Sequence, residues 1–214
     1  MTVTASAFYP LVSLSIPDLP APVLDHAIGR ACREFVRKSH CLFYDISVPV
    51  VATVADAIPT LDTGTEILAV TSCRRIFTGT GAAAAYLTPV SLDDIDGSAN
   101  RSQAPYAFTL TTDLPAKIRL YPTPSDSETL IAKCVISPTQ TAVVFDSRLA
   151  DFYLEGVVAF AKHYLFSMPN TPWHNPQEAQ FAYNQTRSIV MDVQARLTQS
   201  RINKEAFIKL TPFA

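Results

Sequence analysis

The sequence predicts an α+β fold: a helical bundle, built from an N-terminal helix and a long C-terminal helical hairpin, with an antiparallel β-sheet or sandwich inserted between them. Three observations carry this. A helical period occupies residues 22–39, short β-branched runs separated by turn residues fill 42–145, and the helical period returns from residue 146. The predicted organisation is therefore a bundle over 1–41 and 146–205, a β-rich insertion over 42–145, and a tail over 206–214.

In the first helix Val23, Leu24, Ala27, Ile28, Ala31, Cys32, Phe35 and Val36 recur in adjacent pairs every fourth residue, which makes one apolar stripe. Proline stands at its start, Asp25 in its first turn, and Arg37 and Lys38 in its last, as the helix dipole favours. Six strands are expected in the middle region, at 46–54, 66–76, 85–90, 106–111, 117–121 and 129–136, joined mainly as hairpins.

From residue 147 a broad apolar face runs through Leu149, Phe152, Tyr153, Gly156, Val157, Phe160, Ala161, Tyr164, Leu165 and Met168, with Asp146 or Ser147 able to cap its start. That helix must stop before Pro169, because a proline ring disfavours helical geometry in the residue preceding it. The last helix is expected over 176–204, with Asn175 as N-cap, Pro176 at the first position and Glu178 where a capping box places it. Its stripe is Ala179, Ala182, Tyr183, Thr186, Ile189, Val190, Val193 and Leu197.

Composition narrows the function classes. In 214 residues, 48% hydrophobic and 17% charged, there is ample material for a core and too little charge for a disordered chain. Lys plus Arg number 17 against 19 Asp plus Glu, so the chain does not coat nucleic acid by bulk charge, which needs clustered cations. Cys32, Cys41, Cys73 and Cys134 form no C-x-x-C pair and have no histidine at ligand spacing, so they read as reduced, mostly buried thiols of a cytosolic protein. The first residues lack a cationic start followed by an apolar run, and no apolar stretch approaches ~18 residues. A soluble protein without a membrane span is expected.

No set of residues specifies catalysis or a cofactor. The cluster Asp93, Asp94, Asp96 with Gly97 lacks an EF-hand ligand at Leu92 and the closing acid at Gln103, so it reads as a solvated loop or a helix cap. His26, His40, His163 and His174 show no metal-ligand spacing. Gly79 and Gly81 flank a turn without a phosphate-loop lysine, and His40 beside Cys41 at a helix end has little geometric support as a base–nucleophile pair. Neither a catalytic residue, a metal site nor a cofactor is expected. A small cytosolic hydrolase using Cys41 or the Asp93–Asp96 cluster stands as the alternative enzyme reading; it predicts a concave site with perturbed pKa values.

Three features suit contact instead. Arg30, Arg33 and Arg37 form a basic row on the first helix that is either a solvated face or a surface facing DNA or a partner. Trp173, the only tryptophan, lies between Pro172 and Pro176 at a helix–helix corner. It is either a corner plug whose indole N–H bonds a backbone carbonyl, or a rigid apolar contact offered to a neighbouring subunit. The tail carries Phe207, Ile208, Leu210 and Phe213 and is strand-like; it is costly to leave in water and folds back on its own core or adds to another chain.

Four stretches, taken in order, resemble the head-to-tail adaptor (head completion or connector) proteins of tailed bacteriophages. They are PAPVLDHAIGRACREF at 20–35, GTEILAV at 64–70, IRLYPTP at 118–124 with the strand ending at Ser137 and Pro138, and MPNTPWHNPQEAQFAY at 168–183. The family pattern places small residues in the helix leading to the Pro-Trp corner; Gly156 and Ala159 fit it, whereas Phe160, His163 and Phe166 are bulkier.

The resemblance implies a virion protein of the neck, made in the host cytoplasm. It implies a homo-oligomeric ring, commonly dodecameric, bound to the portal protein on one side and to a tail or nozzle protein on the other, with DNA passing non-specifically through the lumen. Such proteins have no catalytic residues to carry over. The portal contact falls to the tail residues Phe207, Ile208, Leu210 and Phe213. Another neck or tail-completion protein that binds a neighbouring ring is the alternative within the same class.

Overall fold

A computed structural model of the chain describes residues 1–76, 85–91, 103–111 and 116–205, with side chains described as far as residue 199 in the last helix. By its internal contacts the chain divides into two compact units, Leu42–Thr139 on the one hand and Met1–Cys41 with Gln140–Ala214 on the other.

The first unit is one sheet of seven strands: β2 (Phe43–Val50), β3 (Asp56–Ala57), β4 (Thr65–Ile76), β5 (Ala85–Pro89), β6 (Ala107–Leu110), β7 (Ile118–Tyr121) and β8 (Glu128–Pro138). Their spatial order is β2-β8-β4-β5-β6-β7-β3. The two outermost strands, β2 and β3, are consecutive in the chain and separated only by residues 51–55. Leu120 N donates to Ala55 O at 2.8 Å and Thr53 N to Pro124 O at 2.9 Å, so the sheet curls until it is nearly closed.

A period of two fills this sheet. On β8, Leu130, Ala132 and Cys134 are fully buried and Thr129 and Lys133 are exposed. The inward set continues with Val48, Cys73, Phe108, Ile118 and Leu120. Strand β4 slips register against β8 between Ile67 and Ala69 and again between Val70 and Ser72, and such bulges strengthen the local twist that closure needs. Of the two expected forms, sheet or sandwich, the unit takes the single sheet, curled on itself; the expectation of a wholly antiparallel sheet is corrected, because β5 pairs parallel with β6.

The second unit holds a two-stranded antiparallel sheet, β1 (Thr2–Thr4) with β9 (Val144–Asp146), a short 3-10 turn at Ala5–Phe8, and five α-helices among the described residues. They are α1 (Tyr9–Ser13), α2 (Ala21–Ser39), α3 (Arg148–Asp151), α4 (Leu154–Phe166) and α5 (Pro176–Glu205). Helix α2 buries Leu24, Ala27, Ile28, Ala31, Cys32, Phe35 and Val36. It ends at His40, whose left-handed backbone (φ 52°) lets its N–H reach Val36 O at 2.8 Å. Helix α4 packs against α2 and α5.

The single helix expected over 147–168 is interrupted. Tyr153 leaves helical geometry (φ −125°, ψ 17°), and Phe152, placed by periodicity on the buried face, is 75% exposed. At the start of α3 the Asp146 carboxylate accepts from Arg148 N at 2.8 Å, and Ser147 contributes no side-chain cap.

Candidate functional site

The corner between α4 and α5 is built by local hydrogen bonds. Ser167 Oγ donates to His163 O as α4 ends, Asn170 takes a left-handed turn (φ 60°), and Thr171 Oγ1 donates to Met168 O at 2.9 Å. Asn175 N then reaches back to Phe166 O at 3.1 Å, while the Asn175 side-chain oxygen accepts from Gln177 N and Glu178 N and caps α5. His163 Nδ1 meets Ala179 O at 3.0 Å and its ring packs on Tyr183, which fixes the two helices against each other.

Trp173 stands half-buried at this corner between exposed Pro172 and exposed Pro176. Its Nε1 is buried but meets no acceptor, so the expected bond to a backbone carbonyl is absent. A buried N–H without a partner is uncommon and costs on the order of 1–3 kcal/mol. Beside the indole lies a hollow of about 340 Å³ whose apolar wall includes Ile16, Pro17, Phe166 and Pro172.

The arginine row is not uniform. The Arg30 guanidinium lies 4.4 Å from the centre of the Tyr164 ring, Arg33 is half-buried, and Arg37 is exposed. Arg30 and Arg33 share a hollow of about 460 Å³ with Asp25 and Glu34, so its charge is mixed.

Cys41 is buried, and burial pushes its thiol up to about 11, the wrong direction for a nucleophile at neutral pH. His40 is exposed at the left-handed cap. All four cysteines are free and buried. Among the described residues no group of three or more His, Cys, Asp or Glu could hold a metal ion, and no helix is long and apolar enough to cross a membrane. Asp93, Asp94, Asp96 and Gly97, the Gly79–Gly81 turn, and the tail residues Phe207, Ile208, Leu210 and Phe213 lie outside the described residues.

One surface escaped the sequence reading. The break between α3 and α4 opens a hollow of about 600 Å³ between Phe152, Tyr153 and Leu154 on one side and Ile189, Val193 and Leu197 of α5 on the other, with the Asp192–Arg196 ion pair at 2.7 Å on its wall. Nothing in the apolar period of 149–168 announces that break.

These features define a mixed α+β protein with a nearly closed sheet and surface hollows beside its helices. The family model of the SU10 adaptor protein matches residues 4–204, and the chain belongs to that family of phage head–tail adaptors. No curated protein matches it.

Proposed function

We propose that this chain is a structural virion protein of the phage neck, forming a ring that joins the portal of the capsid to the tail and lets DNA pass through its lumen. The family match over residues 4–204 carries this reading. A ring needs heterologous contacts, in which one face of a subunit meets a different face of its neighbour, and it needs them to close. In this reading α2, α4 and α5 form the bundle of each subunit, the residues of 42–145 form an inserted domain, and copies assemble into a dodecamer.

The tail residues Phe207, Ile208, Leu210 and Phe213 are assigned to the portal. The Trp173 corner, with Pro172 and Pro176, is assigned to a contact between subunits; its apolar hollow and its indole N–H without an acceptor support that role. Of the basic row, Arg30 and Arg37 are exposed and Arg33 is half-buried, so the exposed pair is assigned to DNA or a partner, with the Arg30 guanidinium also lying over the Tyr164 ring. A near-neutral chain is compatible with passage of DNA, because strong attraction would hold it back.

The test is a particle assembled without the protein. Such particles should lose their packaged DNA and fail to acquire tails; particles that retain the genome and join tails normally overturn the proposal.

A further inference from the structure

Three facts about the Trp173 corner combine. The hollow beside the indole has an apolar wall of Ile16, Pro17, Phe166 and Pro172 next to the polar Ser15, His174 and Asn175, and that wall suits an apolar side chain. Trp173 Nε1 is a buried donor that lacks an acceptor, so it suits a segment that brings a carbonyl. The chain itself carries a segment of that chemistry, the nine residues 206–214, which are apolar apart from Lys209 and Thr211.

That segment cannot reach the hollow of its own chain. Helix α5 starts three residues after Trp173 and runs 30 residues to Glu205, which is about 45 Å at the rise of an α-helix. Nine extended residues span at most about 32 Å. Residues 206–214, if seated at the corner, therefore come from another molecule. Charge agrees with a second copy as the source: Lys209 is the tail's one cationic side chain, and the exposed carboxylate of Asp18 follows Pro17 of the hollow.

We propose that, before the portal is met, the tail of one copy docks in the Trp173 hollow of another, with Leu210 or a neighbouring apolar side chain in the cavity, a tail carbonyl on Trp173 Nε1 and Lys209 facing Asp18. This rests on the reading of the tail as a partner-binding segment. The contact is head-to-tail, and one tail cannot serve a neighbour and the portal at once, so the portal displaces the neighbour.

Trp173 is the chain's single tryptophan, so its emission reports on this site alone. In the full chain, association followed by sedimentation should rise with concentration, and the emission should move to shorter wavelength in step. Leu210→Asp, which spoils the tail, and Pro17→Glu, which spoils the exposed lip of the hollow, should each stay monomeric with an unchanged circular dichroism spectrum. Mixed in equal amounts they should pair, because one intact tail then meets one intact hollow, and association should stop at dimers. Trp173→Phe keeps most of the apolar body but cannot donate, and should weaken association about five- to tenfold. Purified portal rings should reverse both association and the emission shift.

A wild-type chain that stays monomeric with constant emission overturns the inference, as do Leu210→Asp chains that associate normally, a mixture that does not pair, or portal rings that bind without reversing the shift. Loss of portal binding by Leu210→Asp with self-association intact would sink this inference while leaving the portal assignment of the tail standing.

Discussion

Gly156 on α4 faces the ring of Phe35 on α2 so closely that a Cβ at Gly156 would run into the ring. Phe35 is fully buried, with the Tyr153 ring centre 5.5 Å away and that of Phe160 6.2 Å away, so it has nowhere to retreat. The absence of one side chain thus sets how near the two helices lie.

Gly156→Ala should therefore destabilise the chain. Overpacking a filled core costs about 1–3 kcal/mol, against a gain of up to about 1 kcal/mol from removing glycine from a helix interior. Urea unfolding should show a lower midpoint for Gly156→Ala and a still lower one for Gly156→Leu. A midpoint unchanged in both would show that Phe35 can move.

Trp173→Phe should behave in opposite ways in the isolated chain and in assembly. Removing a buried donor that has no acceptor relieves a penalty of about 1–3 kcal/mol, offset by the packing lost with the smaller ring. The unfolding midpoint of the monomer should stay level or rise, while association falls. Because the indole is only half-buried, Trp173→Ala should cost less than the ~3–5 kcal/mol typical of large core truncations.

Acid should weaken the unit that contains Asp146. Burial alone would raise this carboxyl, but hydrogen bonds from the Arg148 side chain and backbone, with the Arg148 charge, outweigh it and hold it below the ordinary carboxylate value. For a depressed acid the stabilising contribution is complete above the unfolded value of about 4 and disappears as pH falls through the folded value. Asp146→Asn should flatten the acid limb of an unfolding profile. Asp56 should act alike in the other unit, since the Arg119 hydrogen bond, at 2.6 Å, holds its carboxyl low. An acid limb identical in wild type, Asp146→Asn and Asp56→Asn would contradict this.

Thiol reagents should find little to react with in the native chain. Burial pushes Cys73 and Cys134 up to about 12 and Cys41 to about 11, and Cys32 higher still. Near neutral pH the thiolate that reacts is scarce as well as sheltered. Labelling should be slow until denaturant is added and then reach four thiols per chain; one fast-reacting native cysteine would be inconsistent with it.

Removing residues 206–214, read as a partner-binding segment, should leave unfolding of the remainder within about 0.5 kcal/mol. The same truncation should abolish joining to purified portal. Undiminished portal binding would reject the assignment of Phe207, Ile208, Leu210 and Phe213.

Much of α2 was legible in the sequence because its stripe is long and regular, and its expected span of 22–39 lies within the observed Ala21–Ser39. The longer strands were legible for a related reason: in β4 and β8 apolar and β-branched residues alternate or run on over strand length. What escaped was decided by distant contacts. Thr2–Thr4 has no period of its own and becomes a strand only by pairing with Val144–Asp146. The two residues of β3 are too few to carry a pattern, and the parallel β5–β6 pairing leaves no local trace. The Phe152–Tyr153 break hid inside an unbroken apolar period. At the corner, the Asn175 cap followed from residue type, whereas the empty acceptor position at Trp173 depends on where every nearby carbonyl falls, which spacing does not encode.

The pairing of Thr2–Thr4 with Val144–Asp146 also orders events at the ribosome. Thr2–Thr4 must wait, without its partner strand, until Val144–Asp146 has been translated, and α2 waits longer still for α4 and α5. The stretch Leu42–Thr139 is a compact unit of its own and is complete before the residues after Thr139 are made. Since compact units fold as they are synthesised, nascent chains halted soon after Thr139 clears the exit tunnel should hold a finished β unit beside an unfinished helical one, and α5 completes a unit whose earlier residues were made before the β unit.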